Sequence, residues 1–278
     1  MVEDKLSSAN RLTIANTLST SSLKIIAIIA MVCDHAPYLL DTWQADYYTW
    51  PWTMLHSIGR ITAPVFFYLL ALGYRHTRNA GRYTVRLLVF ALLSYIPYIW
   101  YFNDVPPDAY NFYELNVIFT MLFGLLLLRA LHEVSNVALK AVIIVLCFIG
   151  GYWCDYGLYG LAMILICDIT RGSRCGTVLG MGAVIMVYVY MRTSSFFPSG
   201  ALLSESLSNL MHTEWMHNLL ILLLCQLVPL IFIARHRAWA EGGNAERRRR
   251  PGVLVKYGFY IFYPAHIIVL LIIRMYFM

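Results

Sequence analysis

Charge is what this chain has least of. Only 13% of its 278 residues are Asp, Glu, Lys or Arg, against 60% hydrophobic, and the mean hydropathy is +0.63. A soluble domain carries about 25% charged residues, so an ordinary water-soluble enzyme or carrier is excluded. The motifs it lacks exclude more. There is no G-x-x-x-x-G-K-[ST], so NTP hydrolysis of the P-loop kind has no support. There is no H-E-x-x-H and no G-x-S-x-G, which removes the usual metalloprotease and serine hydrolase. The six cysteines (Cys33, Cys147, Cys154, Cys167, Cys175, Cys225) contain no C-x-x-C pair. Neither a disulfide framework nor a structural zinc is expected, and no metal site. No internal repeat is evident.

What the chain has is long apolar runs. A helix needs about 20 mostly apolar residues to cross hydrocarbon. Nine stretches qualify or nearly so: 23–40, 54–74, 83–101, 115–131, 137–153, 156–169, 175–192, 215–234 and 253–277. The sixth is short. With the N-terminus in the cytoplasm, segments 1–24, 75–86, 129–140, 171–174 and 235–256 all fall inside. They hold 18 of the 21 Lys and Arg, while the outer segments carry Asp41, Asp46, Asp104, Asp108, Glu114, Asp155, Glu205 and Glu214. That is the positive-inside distribution. The expected fold is an all-α polytopic transmembrane helical bundle of about nine spans, N-terminus cytoplasmic and C-terminus outside. Residues 1–22 read as a disordered polar tail rather than a signal peptide. Residues 23–278 read as one transmembrane domain, with a basic cytoplasmic loop at 235–256. The net charge of +6 follows from topology. The Arg247–Arg250 run implies anionic lipid as its neighbour and no nucleic acid.

Ionisable groups inside the apolar runs carry the chemistry. Asp34, His35, Arg60 and His266 each lie within a predicted span, where a charge costs about 2.5 kcal/mol or more. At about 1.5 Å rise per residue all reach the middle-to-outer part of the membrane, so they are expected to face the protein interior. Adjacent helical residues point about 100° apart, so Asp34 is expected to pair with Arg60 or with the backbone end of another helix and leave His35 for proton transfer. Imidazole, with an ordinary pKa of about 6.5, suits that task. The plain alternatives are a topology-fixing ion pair and packed histidines. On the cytoplasmic side, G-Y-R-H-T-R-N-A-G-R-Y-T-V-R brings Arg75, His76, Arg78, Asn79, Arg82 and Arg86 into fourteen residues. Guanidinium forks bind phosphate bidentately, although ordinary positive-inside charge explains the same run. The Trp-, Tyr- and Pro-rich outer loops 41–53 and 102–114 read as an interfacial belt or as the rim of an acceptor-binding mouth.

The segments L-K-I-I-A-I-I-A-M-V-C-D-H, G-R-I-T-A-P-V-F-F-Y-L-L-A-L-G-Y-R-H-T-R-N, L-N-V-I-F-T-M-L-F-G-L, Y-G-L-Y-G and K-Y-G-F-Y-I-F-Y-P-A-H, in this order over roughly 20–275, resemble the TraX family. Its founding type is associated with N-terminal acetylation of F-type pilin. The family is in turn similar to membrane acyltransferases of the acyltransferase-three and heparan-α-glucosaminide N-acetyltransferase type. The resemblance implies a bacterial inner-membrane acetyltransferase that takes cytosolic acetyl-CoA, uses a buried histidine, and meets a pilin or another envelope acceptor (peptide amine or sugar) from the outer side. It implies as site residues Asp34, His35, Gly59, Arg60, Pro64, Arg75, His76, Arg78, Asn79, Asn116, Tyr263 and His266. On this reading the donor phosphates dock near Lys24, Arg75, Arg78 or Arg82. His35 or His266 deprotonates the acceptor, and Arg60, Asn116 or Tyr263 stabilises the oxyanion. Two rival readings use the same residues: a proton-coupled transporter, and a non-catalytic envelope assembly factor.

Overall fold

The computed structural model describes residues 17–39, 50–103, 114–194, 214–236 and 253–277. Among these, regular structure is helical: α1 Thr20–His35, α2 Trp50–Gly59, α3 Thr62–His76, α4 Ala80–Asn103, α5 Val117–Glu133, α6 Val137–Tyr152, α7 Gly157–Ile169, α8 Arg174–Ser194, α9 Glu214–Ala234 and α10 Val253–Phe277. Every apolar run of the sequence is helical. Among the described residues, five helical stretches are long and apolar enough to cross a membrane: Thr20–Leu39, Met54–His76, Ala80–Phe102, Arg174–Met191 and Tyr257–Tyr276. The expected tail at 1–22 lies outside the described residues up to residue 16, and its last part is corrected. Ser19 caps α1, accepting the Ser22 N–H at 3.0 Å, and Leu18 N donates to Arg235 O at 2.7 Å. The Ser/Thr run 19–22 is thus an N-terminal capping sequence, not a linker. Most of the two aromatic outer loops, and of the basic loop, lies outside the described residues. The exception is Trp50–Thr53, which opens α2 instead of ending a loop.

α3 is the axis of the bundle. From Thr62 to Leu72 all but Leu69 are buried. A helix apolar on all sides is stable only when surrounded, and α1, α5, α7 and α9 pack on α3. The outer helices contact one another in turn: α10 on α4, α4 on α5, α5 on α7, α7 on α8, α8 on α9, α9 on α2, α2 on α1 and α1 on α10. Their outward faces carry Ile25, Val85, Leu93, Val145, Leu179 and Val269, all exposed, as a lipid-facing surface requires.

Prolines mark where this scaffold bends. Pro64 sits in the first turn of α3, where its missing N–H is harmless. Its ring opposes the carbonyl four residues back, which is that of Arg60. The expected single span 54–74 is therefore two helices with a turn at Arg60–Ile61, held by Arg60 N→Ser57 O at 3.1 Å. Pro37 removes the donor for Cys33 O, and the chain tightens into the 3-10 turn Ala36–Leu39. Tyr101, fully buried, donates its hydroxyl to the His35 carbonyl at 2.8 Å. α10 runs through Pro264.

Asn116, expected at the substrate, has another occupation. It is fully buried, its Oδ1 accepts the Ile118 N–H at 3.0 Å to cap α5, and its Nδ2 donates to Ala91 O at 3.0 Å. Both ends of the amide are engaged in joining α5 to α4. Asn116→Ala should cost about 1–3 kcal/mol, read as a lower unfolding temperature in detergent, with no change in apparent affinity for any acceptor. Unaltered thermal stability would return Asn116 to the substrate.

Candidate active site

Two polar constellations meet in one narrow cavity. The first joins α1 to α10. His35 Nδ1 lies 2.7 Å from His266 Nε2, with the rings stacked, and His266 Nδ1 lies 2.9 Å from Phe262 O. A carbonyl only accepts, so His266 carries its proton on Nδ1 and presents Nε2 as an acceptor. His35 must then donate from Nδ1, so in the neutral pair its Nε2 is a bare lone pair. These tautomers follow from the hydrogen-bond chain. Among the described residues nothing hydrogen-bonds His35 Nε2. Phe102 and Tyr263 pack edge-on against the His35 ring.

The second constellation joins α1 to α2 and to the turn before α7. Direct pairing of Asp34 with Arg60 was expected. Instead His56 stands between them: its Nδ1 is 3.0 Å from Asp34 Oδ1, and its Nε2 accepts a hydrogen bond from Arg60. The guanidinium cannot accept, so His56 carries its proton on Nδ1, facing the carboxylate. The Asp34–His56 contact is close but lacks the alignment of a hydrogen bond. The reason for the correction is geometric. Arg60 sits at the break below α2, and its guanidinium turns toward Tyr156, donating to the hydroxyl at 3.3 Å and lying 5.8 Å from the ring centre. His56, four residues earlier and one helical turn away, fills the gap. Trp52, another turn back, stacks on His56 at 4.7 Å.

Glycine permits this approach. A Cβ on Gly59 would lie 2.2 Å from Asp34 Cβ and 2.5 Å from Asp34 Cα, so no larger residue fits without parting α1 from α2. Tyr156 is the only described non-glycine residue with positive φ, at 65°, a conformation uncommon outside glycine and worth a reason. Hydrogen bonds from Leu115 N to Trp153 O (2.9 Å) and Asp155 N to Leu115 O (2.7 Å) hold this turn against the start of α5, and Thr120 donates to the Asp155 carbonyl. The Asp155 carboxyl lies in the turn between helices, where surrounding protein strips its water and pushes it up to about 7 despite the pull of Arg60.

The cavity between these groups has a volume of about 70 Å³. Asp34, His35, Asp155, Tyr156 and Tyr263 line its polar end. Met31, Phe66, Leu87, Met121, Phe259 and Tyr260 line the apolar remainder. So α1, α3, α4, α5 and α10 all contribute. Arg60 and His266 stand behind the lining and touch it through Tyr156 and His35.

The basic residues expected at the donor divide. Arg75 and Arg78 line a polar pocket of about 410 Å³ at the ends of α3, α5 and α7, with Tyr74, Thr77, His132, Glu133, Asp168 and Arg171. Buried Asp168 takes His132 Nε2 at 2.6 Å and Arg75 Nε at 3.7 Å, and Arg75 also donates to the Cys167 carbonyl. Asn79 caps α4, accepting the Arg82 N–H at 2.8 Å. His76 and Arg82 are exposed and off the pocket wall. Lys24 lies elsewhere, 5.6 Å over the Phe259 ring. His56, Tyr156, His132 and Asp168 were missed by the sequence reading. The H-x-x-x-R spacing of His56 and Arg60 signalled the first. An acid at the end of an apolar run, beside the basic residues Arg171 and Arg174, signalled Asp168.

A family profile described as TraX protein matches residues 19–274. The chain is 26% identical over 262 residues to a Dichelobacter nodosus protein named "Probable fimbrial assembly protein FimC, serogroup H1", covering 93% of this chain and 96% of that one. No solved structure matches it.

The His35–His266 relay makes a prediction independent of any activity. In histidine-labelled protein in nanodiscs, nitrogen-15 NMR should find His35 protonated at Nδ1 and bare at Nε2. His266→Ala should shift it toward the Nε2–H form preferred by free imidazole. Identical His35 resonances in both proteins would remove the relay.

Proposed function

The chain belongs to the TraX protein family, and on that premise we propose that it is an acetyl-CoA-dependent membrane acetyltransferase with His35 Nε2 as its general base. The observation that carries this reading is the bare His35 nitrogen, aligned by His266 and opening on a mostly apolar cavity. We place the protein in the bacterial inner membrane, crossing it nine times with the N-terminus cytoplasmic and the C-terminus outside. The five long apolar helices and the distribution of Lys and Arg support that topology.

The donor thioester enters from the cytoplasm, its phosphates held by basic groups at that end of the bundle: Arg75, Arg78 and Arg171 of the polar pocket, or Lys24 and Arg86 beside the inner cavity. An acceptor amine or hydroxyl arrives from the outer side. As its nitrogen or oxygen attacks the thioester carbonyl, His35 Nε2 takes its proton. The new C–N or C–O bond forms, the C–S bond breaks, and the departing thiolate recovers the proton from the imidazolium to leave as free CoA. His266, accepting from His35 Nδ1, is a positioning residue for the base. Asp34 lies beside the ring as charge develops on it. Tyr156 accepts from Arg60 and so has its own hydroxyl proton for the carbonyl oxygen as that becomes negative. Arg60 thus works through Tyr156, and Tyr263 closes the cavity wall. The fimbrial assembly name of the relative supports a pilin N-terminus as the acceptor.

The same name favours a second reading, an assembly factor without chemistry, in which the buried polar groups only hold the helices together. Membrane vesicles supplied with acetyl-CoA bearing a labelled acetyl group separate the two. For a transferase, wild-type vesicles release CoA thiol and label envelope protein, and His35→Gln lowers the rate about 10²–10⁴-fold while the protein remains folded. Full envelope function in a His35→Ala, Arg60→Ala double variant would sink the transferase and leave the assembly factor.

A further inference from the structure

We infer that the phosphate end of the donor is bound at the cytoplasmic mouth between α1, α4 and α10, by Lys24 and Arg86, and not in the larger arginine pocket at the end of α3. This deepens the acetyltransferase reading and rests on it.

The two basic sites differ in what they adjoin. The pocket of Arg75, Arg78 and Arg171 is roomy, but it shares no lining residue with the inner cavity. Its carboxylates are Asp168 and Glu133, which repel phosphate. Arg75 is already committed to Asp168 and the Cys167 carbonyl. Arg75 Nε also lacks a hydrogen bond, but Asp168 already stands 3.7 Å from it.

The α10 mouth is different. Phe259 and Tyr260 line the inner cavity's cytoplasmic end, and each carries a cation on its ring. Lys24 Nζ lies over Phe259 at 5.6 Å, and the Arg86 guanidinium lies over Tyr260 at 5.2 Å, with Tyr83 and Tyr257 also beside it. Leu87, next to Arg86, lines the same cavity. Lys24 on α1 and Arg86 on α4 thus flank the entrance from the two helices that grip α10. Arg86 also has an unmet need: its Nε is buried and has no hydrogen-bond acceptor. A buried N–H without an acceptor is costly. An anion seated between the two cations would supply one.

The distance suits the donor. Lys24 and His35 are eleven residues apart on α1, about 16–17 Å along the axis. Pantetheine, between its sulfur and its phosphate, is about four three-bond units, roughly 14 Å when extended. Lys24 has a flexible stem that covers the remainder. A phosphate held here delivers the thioester to His35 through the apolar slot past Phe259, Leu87, Phe66 and Met121.

The test compares two donors, acetyl-CoA and S-acetylpantetheine, which lacks every phosphate, in nanodisc-embedded wild type, Lys24→Gln, Arg86→Gln, Arg78→Gln and Arg171→Gln proteins. Lys24→Gln and Arg86→Gln should each raise KM for acetyl-CoA about tenfold or more with kcat little changed. KM for S-acetylpantetheine should stay at the wild-type value, which also certifies the fold. Equal shifts for both donors, an unmoved KM for acetyl-CoA, or a rise confined to Arg78→Gln and Arg171→Gln would each overturn the assignment while leaving the transferase intact. A wild type that transfers acetyl from neither donor removes the transferase reading and this one together.

Discussion

Hydrocarbon on the outside leaves the polar groups of this bundle only one another to bind. Lipid supplies neither donors nor acceptors, so a charge or imidazole turned outward is penalised by kilocalories. The inward groups must then close their own circuits. Asp34 meets His56, His56 meets Arg60, Arg60 meets Tyr156, and His35 meets His266, which ends on a backbone carbonyl. Each link fixes the proton position of the next, because carbonyls and guanidiniums have only one role in a hydrogen bond. A dry interior therefore does more than tolerate the histidines. It specifies which of their nitrogens is basic.

The same constraint accounts for the backbone around the site. His56 and Arg60 lie one helical turn apart at the end of α2, so His56 reaches Asp34 while Arg60, at the break that Pro64 favours four residues on, reaches Tyr156. For His56 to reach Asp34 at all, α1 and α2 must approach so closely that position 59 has no room for a Cβ. The motif G-R-x-x-x-P-x-F is thus one device: contact, cation, break, cavity wall. Its four named residues act through different atoms.

Much of this was legible beforehand. Hydropathy located the helical segments. Asp34, His35, Arg60 and His266 stood out because each is expensive where it lies. What sequence could not give was the pairing. The Asp34–Arg60 pair was inferred from charge alone, and charge does not reveal that a neutral histidine one turn before Arg60 is closer. Asn116 was placed at the substrate, where its amide chemistry was plausible. Only the packing of α4 on α5 reveals that Ala91 and Ile118 already occupy both ends of it. Tyr156 carried no signal as a functional residue, since its left-handed backbone follows from a turn held by non-local bonds to Leu115. Local pattern reads cost and periodicity well. It reads partners poorly, because partners come from helices distant in sequence.

The placement of the two basic sites has a mechanistic consequence. A thioester that crosses half a membrane needs a path without water, since water at the reacting carbon competes with the acceptor. The cavity below His35 is walled by Met31, Phe66, Leu87, Met121 and Phe259, none of which binds water. The cavity is narrow, about 70 Å³. The polar end, with His35, Asp34 and Tyr156, is then the one place along the path where a proton has somewhere to go. In the transferase proposed above, apolar walls and a single aligned base would confine the reaction to this polar end of the cavity.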